Sequence, residues 1–217
     1  MILAPESNRL VLFQGDSITD TGRNRDDDCD MGRGYAMMAA AWYESMFPER
    51  MVQFVNRGVS GNTVNDLEVR WREDCLRLRP ALVSILIGIN DTARCYDARL
   101  SQTVDEFERI YRGLLEETKD ALEARLVLME PFLLDCPTDR RPWRSHLDPR
   151  IEVVRRLARE FKAALVPLDG LFAQASARRE PAYWAQDGVH PTPPGHALIA
   201  RAWLSVVRGA ESRTSDD

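Results

Sequence analysis

Apolar residues along this chain fall into two alternating patterns. Short unbroken runs have the length of strands: "LVLFQ" (10–14), "MVQFVNRGV" (51–59), "ALVSILIG" (81–88), "RLVLMEPFLL" (125–134, stopped by Pro131) and "ALVPLD" (164–169). Between them, apolar positions recur at three- and four-residue steps. Val64, Leu67, Trp71, Cys75 and Leu78 share one helical face, as do Ile151, Val154, Leu157 and Phe161. The stretches 34–47 and 102–124 also read as helices, and a last one near 194–207 buries Leu198, Ile199, Ala202, Trp203 and Val206. A run such as 81–88, apolar at nearly every position, suits a strand covered on both faces. Five such strands with helices between them predict a three-layer α/β/α sandwich around a five-stranded parallel sheet.

Composition narrows the class. At 217 residues, 44% hydrophobic and 29% charged, the chain suits one soluble domain. We expect that domain to span 1–208 and the polar tail "GAESRTSDD" (209–217) to be disordered. The net charge of -5 provides no global positive field to attract nucleic acid or anionic lipid. "ALVSILIGI" is too short to span a bilayer, and "MILAPESNRL" lacks the apolar core of a signal peptide. Cys29, Cys75, Cys95 and Cys136 show neither C-x-x-C spacing nor the density of a disulfide framework. Reduced thiols and a cytoplasmic location are expected.

In an open parallel sheet, chemistry gathers just past the carboxyl ends of the strands. Those positions read "GDSITD", "NRGVSGNT", "GINDT" and, near the end of the chain, "QDGVHPT". In the first, Asp16 or Ser17 could cap the next helix, or Ser17 could be a nucleophile. A serine hydroxyl attacks only when a base takes its proton, and histidine is the usual base near neutral pH. Of the three histidines, His146 sits in a polar loop and His196 opens the last helix, where packing or capping suits it. His190 follows Asp187 by three residues, so within a tight turn the carboxylate can reach Nδ1 and leave Nε2 facing a serine. Acyl transfer also needs donors for a developing oxyanion. Gly61, expected to open a helix, can bring its N–H close to a substrate, and Asn90 at the end of the third strand can add an amide. Each residue alone also reads as a turn or a cap.

Two other patterns lose to simpler readings. Asp26, Asp28 and Asp30 alternate, but Met31 and Met37 occupy the places where a calcium loop needs glycine and glutamate, which leaves a solvated acidic loop. Neither G-x-G-x-x-G nor a P-loop is present, and no cofactor or metal is called for.

Taken together and in order, "GDSITDTGR", "GVSGNT", "GIND" and "DGVHP" resemble the four sequence blocks of the SGNH or GDSL hydrolases, over nearly the whole chain. The pattern differs from α/β-hydrolases, whose nucleophile elbow reads G-x-S-x-G. The resemblance implies a flavodoxin-like fold and a serine esterase. It makes Ser17 the nucleophile and Asp187 and His190 its triad partners, with an oxyanion hole from the Ser17 amide, Gly61 and Asn90. "LFQGDSITDTGR", "GVSGNTVNDLEVRW", "IGINDT" and "QDGVHPTPPGHALIARAW" are most similar to the intracellular acetylxylan esterase branch. That similarity implies a small ester or acetylated oligosaccharide as substrate, with other short-chain acyl esters or thioesters as the alternative. It is compatible with a homo-oligomer. Two positions depart from the branch: Gln186 replaces an aromatic residue before the aspartate, and "DTARCYDARL" lacks a tryptophan. A non-catalytic α/β ligand-binding domain is the rival from another class. Trp143, Tyr183 and Trp184 could line a sugar-binding face or serve the fold.

Overall fold

In a computed structural model, which describes residues 10–136 and 138–208, the strands are β1 (Leu10–Gly15), β2 (Gln53–Asn56), β3 (Leu82–Leu86), β4 (Arg125–Met129) and β5 (Ala164–Val166). The tail expected at 209–217 lies outside the described residues. All five strands pair in parallel, as the alternation of runs and helices predicted, and their order is β2-β1-β3-β4-β5. Nine helices are described: α1 (Ser17–Asp20), α2 (Tyr35–Met46), α3 (Val64–Asp74), α4 (Ile89–Tyr96), α5 (Val104–Ala121), α6 (Arg144–Glu160), α7 (Leu168–Ser176), α8 (Pro181–Trp184) and α9 (Pro193–Arg208).

Strand alternation sends side chains to two separate cores. Val11 and Phe13 of β1 join Leu82, Leu86, Val127 and Met129 beneath α2, α7 and α9. Leu12 faces the other way, with Val83, Ile85, Leu126 and Leu128, beneath α3, α5 and part of α6. Both sheet faces are therefore dry, which is why the strands read as unbroken apolar runs. The two core indoles are paired: Trp203 Nε1 donates to Ser84 Oγ at 3.0 Å, and Trp71 Nε1 to Thr118 Oγ1 at 3.1 Å.

Several boundaries differ from expectation. The fifth strand ends at Val166, because Pro167 has no N–H for the ladder. Leu168, Phe172 and Ala175 then bury the face of α7. Asn90 lies in the first turn of α4, after Gly88, rather than at the end of a strand. Gly61 lies in a turn two residues before Thr63, which caps α3 through a reciprocal bond with Asp66.

Candidate active site

In a sheet of this order the connections diverge between β1 and β3, opening a crevice at their carboxyl ends. β1 ends there in Gly15, where a Cβ would lie 2.4 Å from Leu86 O, so only glycine lets the chain turn so close to β3. Asp16 then caps α1, its Oδ1 accepting from Ile18 N at 3.0 Å. Ser17, the first helical residue, is left partly exposed. Capping and display of the serine thus fall to adjacent residues. Asp16 itself is buried, and its Oδ2 has no hydrogen-bond partner among the described residues. Burial, with the Asp91 carboxylate adding to it, pushes the Asp16 carboxyl up to about 7.

The loop after β2 is locked onto α1. Asn56 donates its side-chain amide to Thr19 O at 2.7 Å and to Met31 O at 2.9 Å, while its Oδ1 accepts from Gly58 N at 2.8 Å. Asp20 accepts from Ser60 N at 2.8 Å, and Arg23 Nε donates to Gly58 O at 3.0 Å. Gly61 follows, with φ +84°. From α4, Asn90 Nδ2 donates to Asn62 O at 3.0 Å and Arg94 Nη2 to Gly61 O at 2.6 Å. Buried Asp91 accepts from Val64 N at 3.1 Å, tying the start of α4 to the start of α3. Asn90 and the Gly61 turn are thereby held as one unit.

The turn after α8 supplies the third component. At Gly188, φ is +79° and a Cβ would lie 2.0 Å from Cys136 O. Its carbonyl accepts from Leu134 N at 2.9 Å, which pins the turn to the segment after β4. Asp187 Oδ1 accepts from Val189 N at 3.0 Å and His190 N at 2.7 Å. His190 Nδ1 lies 2.7 Å from Asp187 Oδ2, and Nε2 lies 3.0 Å from Ser17 Oγ. Because a carboxylate can only accept, Nδ1 carries the ring proton and Nε2 accepts from the serine hydroxyl. Burial pulls the Asp187 carboxyl upward, but the hydrogen bonds from His190 and Val189 outweigh it and hold it well below the usual carboxylate range. The Asp187 hydrogen bond raises the His190 imidazole, with burial opposing.

One participant carried no signal in the sequence. Arg140, in a 3-10 helix at Thr138–Trp143, donates from Nη1 to Asp187 O at 2.5 Å and lies 3.2 Å from Asp187 Oδ2. It sits in a polar segment 47 residues before Asp187.

The other two histidines and the acidic loop have structural partners. His196 is buried, accepts on Nδ1 from Tyr35 N at 3.2 Å and is pushed down to about 4 by burial, so it caps α2 as a neutral ring. His146 packs edge-on against Tyr96. In the acidic loop, Asp30 accepts from Asn24 N and Gly32 N, and Asp28 pairs with Arg57 at 2.7 Å. Trp184 Nε1 donates to Arg179 O, the Tyr183 ring packs edge-on against Trp184 with centroids 5.0 Å apart, and Thr192 Oγ1 donates to the main-chain Tyr183 O. No described helix is long and apolar enough to cross a membrane.

Comparison with known proteins adds an independent line. An acetylxylan esterase of Geobacillus stearothermophilus is 37% identical over 206 residues, covering 91% of this chain and 93% of that one. A crystal structure of that esterase superposes with a TM-score of 0.85, covering 93% of this chain and 95% of the other. A GDSL-like lipase from Parabacteroides merdae superposes with a TM-score of 0.92 at 35% identity, covering 97% and 100%. Residues 13–198 match the model of the GDSL-like Lipase/Acylhydrolase family. With nearly the whole chain matched in sequence and in fold, this protein belongs to the GDSL-like lipase/acylhydrolase family and is a carboxylic ester hydrolase.

Proposed function

We propose that the protein removes acetyl groups from xylo-oligosaccharides or related carbohydrates through an acyl-enzyme on Ser17. The observation that carries this reading is the unbroken chain Ser17 Oγ, His190 Nε2, His190 Nδ1, Asp187 Oδ2, with separations of 3.0 and 2.7 Å. His190 takes the hydroxyl proton as Ser17 attacks the ester carbonyl and returns it to the departing sugar alcohol. Asp187 orients the ring and stabilises the imidazolium. The Ser17 and Gly61 main-chain N–H groups and the second N–H of the Asn90 amide receive the oxyanion. Water, activated by the same histidine, then releases acetate and frees the serine.

The Geobacillus esterase supports the assignment of roles and substrate. Alanine variants of one serine, one aspartate and one histidine of that enzyme are described as catalytic mutants. Its aspartate and histidine are three positions apart, as are Asp187 and His190. That protein is described as an acetyl-xylooligosaccharide esterase. A tryptophan precedes its catalytic aspartate, where this chain has the exposed Gln186. We assign the chemistry to one catalytic domain over 1–208. The four free cysteines fit a cytoplasmic setting.

The test is the rate of acid release across acyl esters of increasing length, run beside acetylated xylo-oligosaccharides. The reading expects acetyl to be fastest, butyryl much slower and octanoyl inert, with acetate released from the oligosaccharides. Octanoyl esters cleaved faster than acetyl would move the substrate to lipids or long-chain thioesters.

A further inference from the structure

We infer that Arg140 is a positioning residue of this site: it clamps Asp187 at both main chain and side chain, and moderates the pull of that carboxylate on His190. The inference rests on the triad reading above. Arg140 Nη1 donates to the Asp187 carbonyl at 2.5 Å and lies 3.2 Å from Oδ2, the oxygen that accepts from His190. Oδ1 accepts from the Val189 and His190 amides, and Oδ2 faces His190 Nδ1 with the guanidinium paired beside it, an arrangement that holds the carboxylate towards the imidazole. The guanidinium is itself seated, its Cζ 5.1 Å from the centre of the Trp143 ring. At 27% side-chain exposure it is a better-shielded cation than a typical surface arginine.

A fixed positive charge so close to a catalytic imidazole has a consequence for its basicity. The charged and titratable groups around His190 are Asp187 and Arg140 on its Nδ1 side, Asp16 beneath Ser17, and His196 on α9. Asp187 raises the imidazole, first through its hydrogen bond and then through its charge, and Asp16 adds to this; Arg140 works the other way. Left to Asp187 and Asp16 alone, His190 would hold its proton to higher pH and be unavailable as a base over more of the neutral range. Arg140 secures the orientation that Asp187 provides and limits its cost to basicity.

The pH dependence of kcat/KM tests this, because its acid limb reports the free-enzyme titration of the essential base. The probe is p-nitrophenyl acetate, assayed from pH 5 to 9 with the wild type, Arg140→Met, Arg140→Gln, Arg140→Lys and Ser17→Ala. In the Met and Gln variants the acid limb should move to higher pH. Their activity on that limb should fall about threefold further than on the plateau, the effect of removing one partly screened charge. Arg140→Lys, which restores the charge without the guanidinium fork, should return the limb towards its wild-type position while the plateau stays reduced. Should Arg140→Met fail to fold, the Gln and Lys variants carry the comparison. A limb unmoved in the Met and Gln variants, or a uniform loss at every pH, overturns the assignment and leaves Arg140 a structural tie. Wild-type turnover by Ser17→Ala would instead remove the triad on which the inference depends.

Discussion

Replacing Asp16 with asparagine should make the protein more stable at neutral pH, with only about a quarter of that gain present at pH 4.5. Asp16 is 1% exposed, one oxygen caps α1 and the other has no partner among the described residues. Burial, reinforced by Asp91, raises its carboxyl from the ordinary 3.8 to about 7. In the unfolded chain the group ionises near its ordinary value, so between about pH 4 and 7 the native state binds a proton that the unfolded state does not. Stability from this residue is therefore fully present below pH 4, falls as pH rises and levels off above 7. At ~1.4 kcal/mol per pH unit, the whole swing is on the order of 4 kcal/mol. Because Asp91 is also buried and raised to about 6, part of that swing belongs to the pair, and ~2–4 kcal/mol is the expected range. Asparagine keeps the oxygen that accepts from Ile18 and cannot ionise. Asp187 has the opposite dependence, its lowered carboxyl losing stability as pH falls, but it is common to both proteins and cancels in the difference. Urea unfolding of wild type and Asp16→Asn at pH 4.5, 5.5, 6.5 and 7.5 measures that difference directly. It should grow in favour of the mutant across the series, and a difference independent of pH would refute the reasoning.

Three further outcomes follow from the same geometry. Asn90→Ala should lower kcat by about 10²–10³ with little change in KM, because its amide matters most once charge develops on the carbonyl oxygen. If it serves only as the tie to Asn62 O, thermal unfolding should register a loss of ~1 kcal/mol while kcat per folded molecule stays intact. Gly188→Ala places a Cβ 2.0 Å from Cys136 O at a φ of +79°, so denaturant unfolding should show a cost of ~2–4 kcal/mol. In the steady state, the Ser17→Ala/His190→Ala double mutant should be little slower than either single mutant, since the two residues act as a unit.

The unbroken run around Leu82–Leu86 announced a strand buried on both faces, and the Val64-to-Trp71 spacing announced α3, because in each case one local period dominates. α7 was harder to see: Leu168, Phe172 and Ala175 have helical spacing, but they follow directly on an apolar run containing a proline. Only the loss of a ladder N–H at Pro167 separates strand from helix there. Asp187 and His190 were legible because their partnership is local, three residues apart in one turn. The spacing of Asn56 to Gly61 showed a turn but not the clamps from Thr19 and Asp20 that hold it against α1. Arg140 was invisible for the same reason, since only the tertiary fold brings its segment to the Asp187 turn.

The central claim is that Ser17 is the nucleophile and that His190 activates it. The most direct measurement is covalent labelling with a fluorophosphonate, followed by peptide mass spectrometry and by the labelling rate in His190→Ala. The account predicts one adduct, on the peptide containing Ser17, with labelling slowed by several orders of magnitude when His190 is lost. Stoichiometric labelling of another residue, or labelling of Ser17 at an unchanged rate without His190, would contradict it.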